Sequence, residues 1–169
     1  MKHLKTYESF KDNSELIKKL EEFGIKNYTI NSDDTIDVDG DVDLYNKRLT
    51  KIPFRFGKVT GYFSCGGNKL TRLNASPKEV GGDFGCYGNK LENLIGGPQE
   101  VGGHYYCQND QLGTLEGCAG DIGGDLYCQN NKLDMLDCSS VINGNIYCGG
   151  NNFKEEPEFF GICNKINWK

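Results

Sequence analysis

The chain has 169 residues, 37% of them hydrophobic and 25% charged. That length suffices for one domain with a sizeable core, and ordinary globular usage excludes wholesale disorder. A net charge of −5 argues against a nucleic-acid partner, because phosphate binding needs clustered Lys and Arg.

In chain order, the opening MKHLKTYESFKDNSEL mixes charges with isolated apolar residues. It lacks the apolar run of a secretory signal, and no run approaches the roughly 20 residues that span a bilayer. The expected setting is soluble and cytoplasmic, with no membrane partner. Residues 12–24 predict a helix. Asp12 and Glu15 suit a capping box, Leu16, Ile17, Leu20 and Phe23 form an apolar stripe, and Gly24 stops it. YTINSDDTIDVDG then predicts one or two strands, completing an N-terminal cap over residues 1–37.

From residue 38 the chain repeats itself. Units begin at Val38, Val59, Val80, Val101, Ile122 and Ile142, at spacings of 21, 21, 21, 21 and 20. Position 3 is always glycine, from Gly40 to Gly144. Position 5 is Val42, Phe63, Phe84, Tyr105, Leu126 and Ile146, and position 7 is Leu44 followed by Cys65, Cys86, Cys107, Cys128 and Cys148. Asn68, Asn89, Asn131 and Asn151 hold position 10, where Lys47 and Asp110 depart. Leucine dominates positions 12 and 15 until Phe153 and Glu156.

Positions 5 and 7 alternate with polar neighbours, which is strand periodicity. After position 15 only a segment such as IGGPQE remains, too short for an ordinary helix, so an extended or turn-like return is predicted. A single unit cannot bury its apolar positions, whereas stacked units can. The predicted architecture is a mainly β, right-handed repeat solenoid over 38–156, about six units long, with one parallel sheet. A C-terminal cap over 157–169 follows, in which Phe159, Phe160, Ile162, Ile166 and Trp168 cover the last coil.

FGCYGNKLENL and LYCQNNKLDML resemble the leucine-rich repeat phrase L-x-L-x-x-N-x-L-x-x-L, most closely the short repeats of bacterial effectors, over roughly 38–156. The resemblance implies a buried, backbone-bonded asparagine at position 10. This chain departs from it in one respect. The family usually has Leu eight residues before the Asn, whereas Val80 lies nine before Asn89 and is followed by two glycines. The start of each strand is therefore expected to be bulged or more tightly turned. The stretch from Thr29 to Cys65 also resembles uncharacterised repeat proteins of tailed-phage genomes, which implies no activity.

Five cysteines share one slot with Leu44, which marks the slot as a packing position, and free Cys behaves as a small, readily buried hydrophobe. No C-x-x-C pair supports a structural metal. Cys118 and Cys138 fall near one position of adjacent coils, so a thiol pair stays open there. DVDGDVD at 37–43 fails as a calcium loop, since Val42 and Arg48 stand where Gly and Glu are needed. Asp37, Asp39, Asp41 and Asp43 instead read as a solvated, edge-protecting face, with a weak cation site as the alternative.

Catalysis finds little support. The histidines are His3 and His104, and His104 points to the opposite strand face from Cys107. No nucleophile elbow, zinc motif or phosphate loop occurs. No catalytic residue, metal or cofactor is expected, and the chain reads as non-enzymatic.

The outward strand positions are the best candidates for a binding face. They include Asp83 and Tyr87, then His104, Tyr106 and Gln108, then Asp125, Tyr127 and Gln129, then Tyr147. Tyr106, Tyr127 and Tyr147 share one column. Aromatic rings with polar tips are enriched at binding surfaces, although cross-strand pairing alone also favours Tyr there. The expected function is a protein-binding module, as in a phage protein acting on a host factor. Sequestration of a small polar ligand and a self-assembling structural role are the alternatives.

Overall fold

The structure, a computed structural model, describes residues 13–169. His3 and the capping residue Asp12 lie outside the described residues. The helix spans Ser14–Glu22, and Asn13 holds its N-cap without a side-chain bond. Gly24, at φ +74°, ends it. Its N–H donates to Glu21 O at 2.9 Å and that of Ile25 to Leu20 O at 2.9 Å, the paired bonds of a Schellman turn. Leu20 and Ile25 are buried and seat the helix on the first coil, while Ile17, on the edge of the stripe, is exposed.

Tyr28–Ile30 then pairs antiparallel with Ile36–Val38. From there each coil contributes to a parallel ladder at positions 5 and 6, through Val42–Asp43, Phe63–Ser64, Phe84–Gly85, Tyr105–Tyr106, Leu126–Tyr127 and Ile146–Tyr147. Ile166–Asn167 adds a final strand beside Ile146–Tyr147. Among the described residues this makes a seven-stranded sheet. The solenoid and its 21-residue repeat are as the sequence predicts.

A second seven-stranded sheet accompanies the expected one. It is built where the return segment meets the next unit, by Phe56–Val59, Glu79–Val80, Glu100–Val101, Asp121–Ile122 and Val141–Ile142 stacked in parallel after Ile36–Val38. Two-residue strands are too short to show a period in sequence. Apolar position 1 therefore marks the unit boundary in the sequence without declaring itself a strand.

The glycine pair between the sheets forms the corner foreseen as a tight turn. A Cβ on Gly81, Gly102 or Gly123 would lie 2.2, 2.2 or 2.0 Å from the backbone oxygen one coil earlier. On Gly61, Gly103 or Gly144 it would meet the Asp41, Asp83 or Asp125 carboxylate at 2.0–2.2 Å. These glycines are required by the closeness of the coils rather than by a left-handed backbone.

The interior is one continuous core of positions 1, 5, 7, 12 and 15. A file of rings runs through its N-terminal half. Phe23 meets Phe54 at 5.5 Å between centroids, Phe54 meets Phe56 at 5.9 Å, and Phe56, Phe63, Phe84 and Tyr105 follow at 5.1, 5.9 and 4.9 Å. Each fully buried side chain of this size contributes about 1.5–3 kcal/mol.

The asparagine column behaves as expected. Asn89 Nδ2 donates to Cys86 O and Cys65 O at 2.7 and 3.1 Å while its Oδ1 accepts from Leu70 N at 3.0 Å. Asn68 and Asn131 repeat the pattern. Backbone groups inside the bends are satisfied this way.

The C-terminal cap differs from expectation. Phe159, Ile166 and Trp168 pack against the core, but Phe160 and Ile162 are 80% and 66% exposed. Single bridges, Leu136 with Phe159 and Val141 with Ile162, tie this segment down. In the register of those bridges Phe160 and Ile162 take outward places, so the run FFGIC does not turn wholly inward.

Candidate functional site

The outer face of the sheet at positions 5 and 6 carries the candidate residues. Tyr106, Tyr127 and Tyr147 occupy equivalent places in three successive strands. Their rings stack with centroids 4.8 Å apart in both steps, at interplanar angles of 13° and 6°. That separation is the spacing of neighbouring strands, so the parallel ladder itself imposes the stack. Because ring faces are spent on one another, the column offers edges and hydroxyls outward. His104 flanks it, 5.8 Å from Tyr106 and 5.9 Å from Tyr127 between centroids.

Position 4 forms a second column with a role the sequence did not reveal. Asp83 Oδ1 accepts from His104 N at 2.8 Å, His104 Nδ1 accepts from Asp125 N at 2.9 Å, and Asp125 Oδ1 accepts from Asn145 N at 2.7 Å. Each side chain receives the backbone N–H of the coil below. Since His104 Nδ1 accepts, its ring proton sits on Nε2. The 3.5 Å approach of that same Nδ1 to Asp125 Oδ2 is then no ion pair. Oδ2 of Asp125 accepts from the Tyr127 hydroxyl at 3.1 Å.

Partial burial, with the Asp125 bond, pushes the Tyr127 hydroxyl up to about 12. Burial, with the Asp83 charge second, also raises Tyr106. The Tyr106 and Tyr127 hydroxyls are therefore held neutral, able both to donate and to accept.

The remaining candidates are not part of this cluster. Gly85, not a tyrosine, is paired with Tyr106. Tyr87 folds back over Gly66 and Gly85, with ring atoms 3.0 and 3.3 Å from where their Cβ atoms would stand, and its ring lies 5.9 Å from Tyr45. Tyr45 is thus a missed member of a separate aromatic pair. Gln108 and Gln129 line position 8, each with a buried Oε1 lacking a hydrogen-bond partner among the described residues. Asp37, Asp39 and Asp41 each bind the next coil, accepting from Lys58 N, Thr60 Oγ1 and Tyr62 N at 2.8–2.9 Å.

Among the described residues no group of three or more His, Cys, Asp or Glu side chains is placed to share a metal ion. No helix there is long and apolar enough to cross a membrane. An open cleft of about 810 Å³ lies near the C-terminal end, lined by residues that include Met135, Asp137, Glu156 and Phe160, and it contains none of the candidate residues.

No known family model, curated protein or solved structure matches the chain.

Proposed function

We propose that the chain is a non-enzymatic protein-binding module whose contact surface is the Tyr106–Tyr127–Tyr147 column with His104 and Asp125 beside it. The observation that supports this is the stack itself. Three tyrosines held by the ladder and by one another lose little further rotamer freedom on binding, which removes a usual cost of association. Tyrosine is also among the residues that dominate interface energetics. On the phage resemblance, the partner is a host factor.

The test is affinity capture from host cytosol with the wild type and with Tyr106→Ala plus Tyr127→Ala. The double variant should lose one specific protein by at least tenfold, since a tyrosine at the hot spot of an interface costs about 2 kcal/mol or more on truncation, with circular dichroism unchanged. Retention of every captured protein by the double variant would sink the reading.

A second reading is favoured by the C-terminal end. Phe160 and Ile162 are exposed there and Met135 is 57% exposed beside the open cleft, so a second copy could cover these groups end to end. Sedimentation over a wide concentration range should then show association in the wild type and none in Phe160→Glu plus Ile162→Glu. A monomer at every concentration removes this reading.

A further inference from the structure

The geometry points to Cys118 and Cys138 as a redox-modifiable dithiol that closes to a disulfide between neighbouring coils. Asp121 pairs with Val141 and Ile122 with Ile142, a spacing of 20 residues. Carried back three residues, the same spacing sets Cys118 opposite Cys138. Neighbouring strands lie about 4.8 Å apart, within the roughly 4.4–6.8 Å between Cα atoms that a disulfide spans. Each thiol shifts the titration of the other.

Both cysteines are half-buried and line one open cleft of about 250 Å³ with Gly117, Gly120 and Ser140. The position-7 cysteines, by contrast, are fully buried. One coil earlier Gly97 stands in the equivalent place, so this is a pair and not a ladder.

The pair is chemically asymmetric. The Cys118 thiol lowers Cys138, and the Ser140 backbone N–H assists, against the opposing effect of burial. The Ser140 hydroxyl gives its one proton to Ala119 O at 2.6 Å, so it cannot also donate to sulfur. Cys118 is pushed well up by the same thiol contact and by burial. Cys138 is the readier of the two to ionise, which makes it the attacking sulfur and Cys118 the resolving one.

With hydrogen peroxide as oxidant, the Cys138 thiolate attacks a peroxide oxygen. The S–O bond forms, the O–O bond breaks and hydroxide leaves. Cys118 sulfur then attacks the sulfenic sulfur of Cys138, the S–S bond forms, the S–O bond breaks, and the departing hydroxide takes up the Cys118 proton as water. Two thiols are oxidised and one peroxide is reduced.

The full chain is treated with a small excess of peroxide, blocked with an alkylating agent and mapped by mass spectrometry. A loss of about 2 Da located to a 118–138 cross-link, ahead of change at any other cysteine and reversed by dithiothreitol, is the expected result. Its rate should rise with pH as the Cys138 thiolate forms, at lower pH than for an ordinary thiol. In Cys118→Ser, dimedone should trap a persisting sulfenic acid at Cys138. Oxidation of Cys163 or a position-7 cysteine first, or recovery of Cys118 and Cys138 as two alkylated thiols, overturns the inference. The wild-type peptide map separates these outcomes even if the variant fails to fold.

Discussion

Asp110→Asn is expected to stabilise the protein by about 2–4 kcal/mol at pH 8 and by far less near pH 4. Asp110 stands in the asparagine column and imitates half of it. Its Oδ1 accepts from Asn89 N at 3.0 Å and Leu91 N at 3.1 Å, as the asparagine Oδ1 atoms do. Its Oδ2 takes the place of the amide nitrogen, which in the other rungs donates to two position-7 carbonyls. By that repeat it faces Cys107 O and Cys86 O, and it is buried with no hydrogen-bond partner among the described residues. Ionised, it sets a charge against carbonyl oxygens, whereas protonated it becomes a donor.

Burial pushes Asp110 up to about 7, against the lowering effect of the bonds from Leu91 and Asn89. The titratable groups within its electrostatic reach are the thiols of Cys65, Cys86 and Cys107. Between the unfolded value of 3.8 and about 7 the native state binds more protons than the unfolded chain. The Asp110 contribution is therefore complete below about 4 and is lost as pH rises through about 7. Thermal melts at pH 4, 6 and 8 should show the variant pulling ahead of wild type only as pH rises, by roughly 5–15 °C at pH 8. Parallel curves for the two proteins across that range would refute the assignment.

The same rung shows where sequence reading succeeds and where it stops. Substitution within a column is legible, because six aligned units expose Asp110, with Lys47, as a departure at position 10 just as they expose Leu44 at position 7. What the departure does is not legible, since it depends on which oxygen meets N–H groups and which meets carbonyls. The stacked Tyr106, Tyr127 and Tyr147 follow from position 6 and strand spacing alone. The bonds from Asp83, His104 and Asp125 to the coil below do not, because an outward-pointing polar residue has the same sequence signature whether it meets water or a neighbouring amide. The placement of Tyr87 is not legible for a related reason. Its own column mixes Tyr45, Gly66, Gln108, Gln129 and Gly149, and only the empty space above Gly66 and Gly85 lets it lie flat.

Gly123→Ala is expected to destabilise the protein by about 3 kcal/mol or more, with Gly113→Ala within about 0.5 kcal/mol of wild type. A methyl group on Gly123 would sit 2.0 Å from the Gly102 oxygen and 2.8 Å from its carbonyl carbon, whereas one on Gly113 meets nothing within 4 Å. Neither position needs a left-handed backbone, so the comparison isolates the approach of the coils. Relief requires the coils to part by more than an ångström. The bonds beside the clash, Gly123 N to Val101 O and Gly124 N to Gly103 O, both 2.8 Å, would lengthen with it. The damage cannot be shared widely, because each coil touches only its neighbours. Hydrogen exchange should therefore show amides from Ile122 onward losing protection before those of the strands from Phe56 to Val80. The melting temperature should fall by roughly 6–12 °C in Gly123→Ala. Two variants that melt together would mean that the coils are not held at this distance by the corner, and that the repeated glycine pair serves some other constraint.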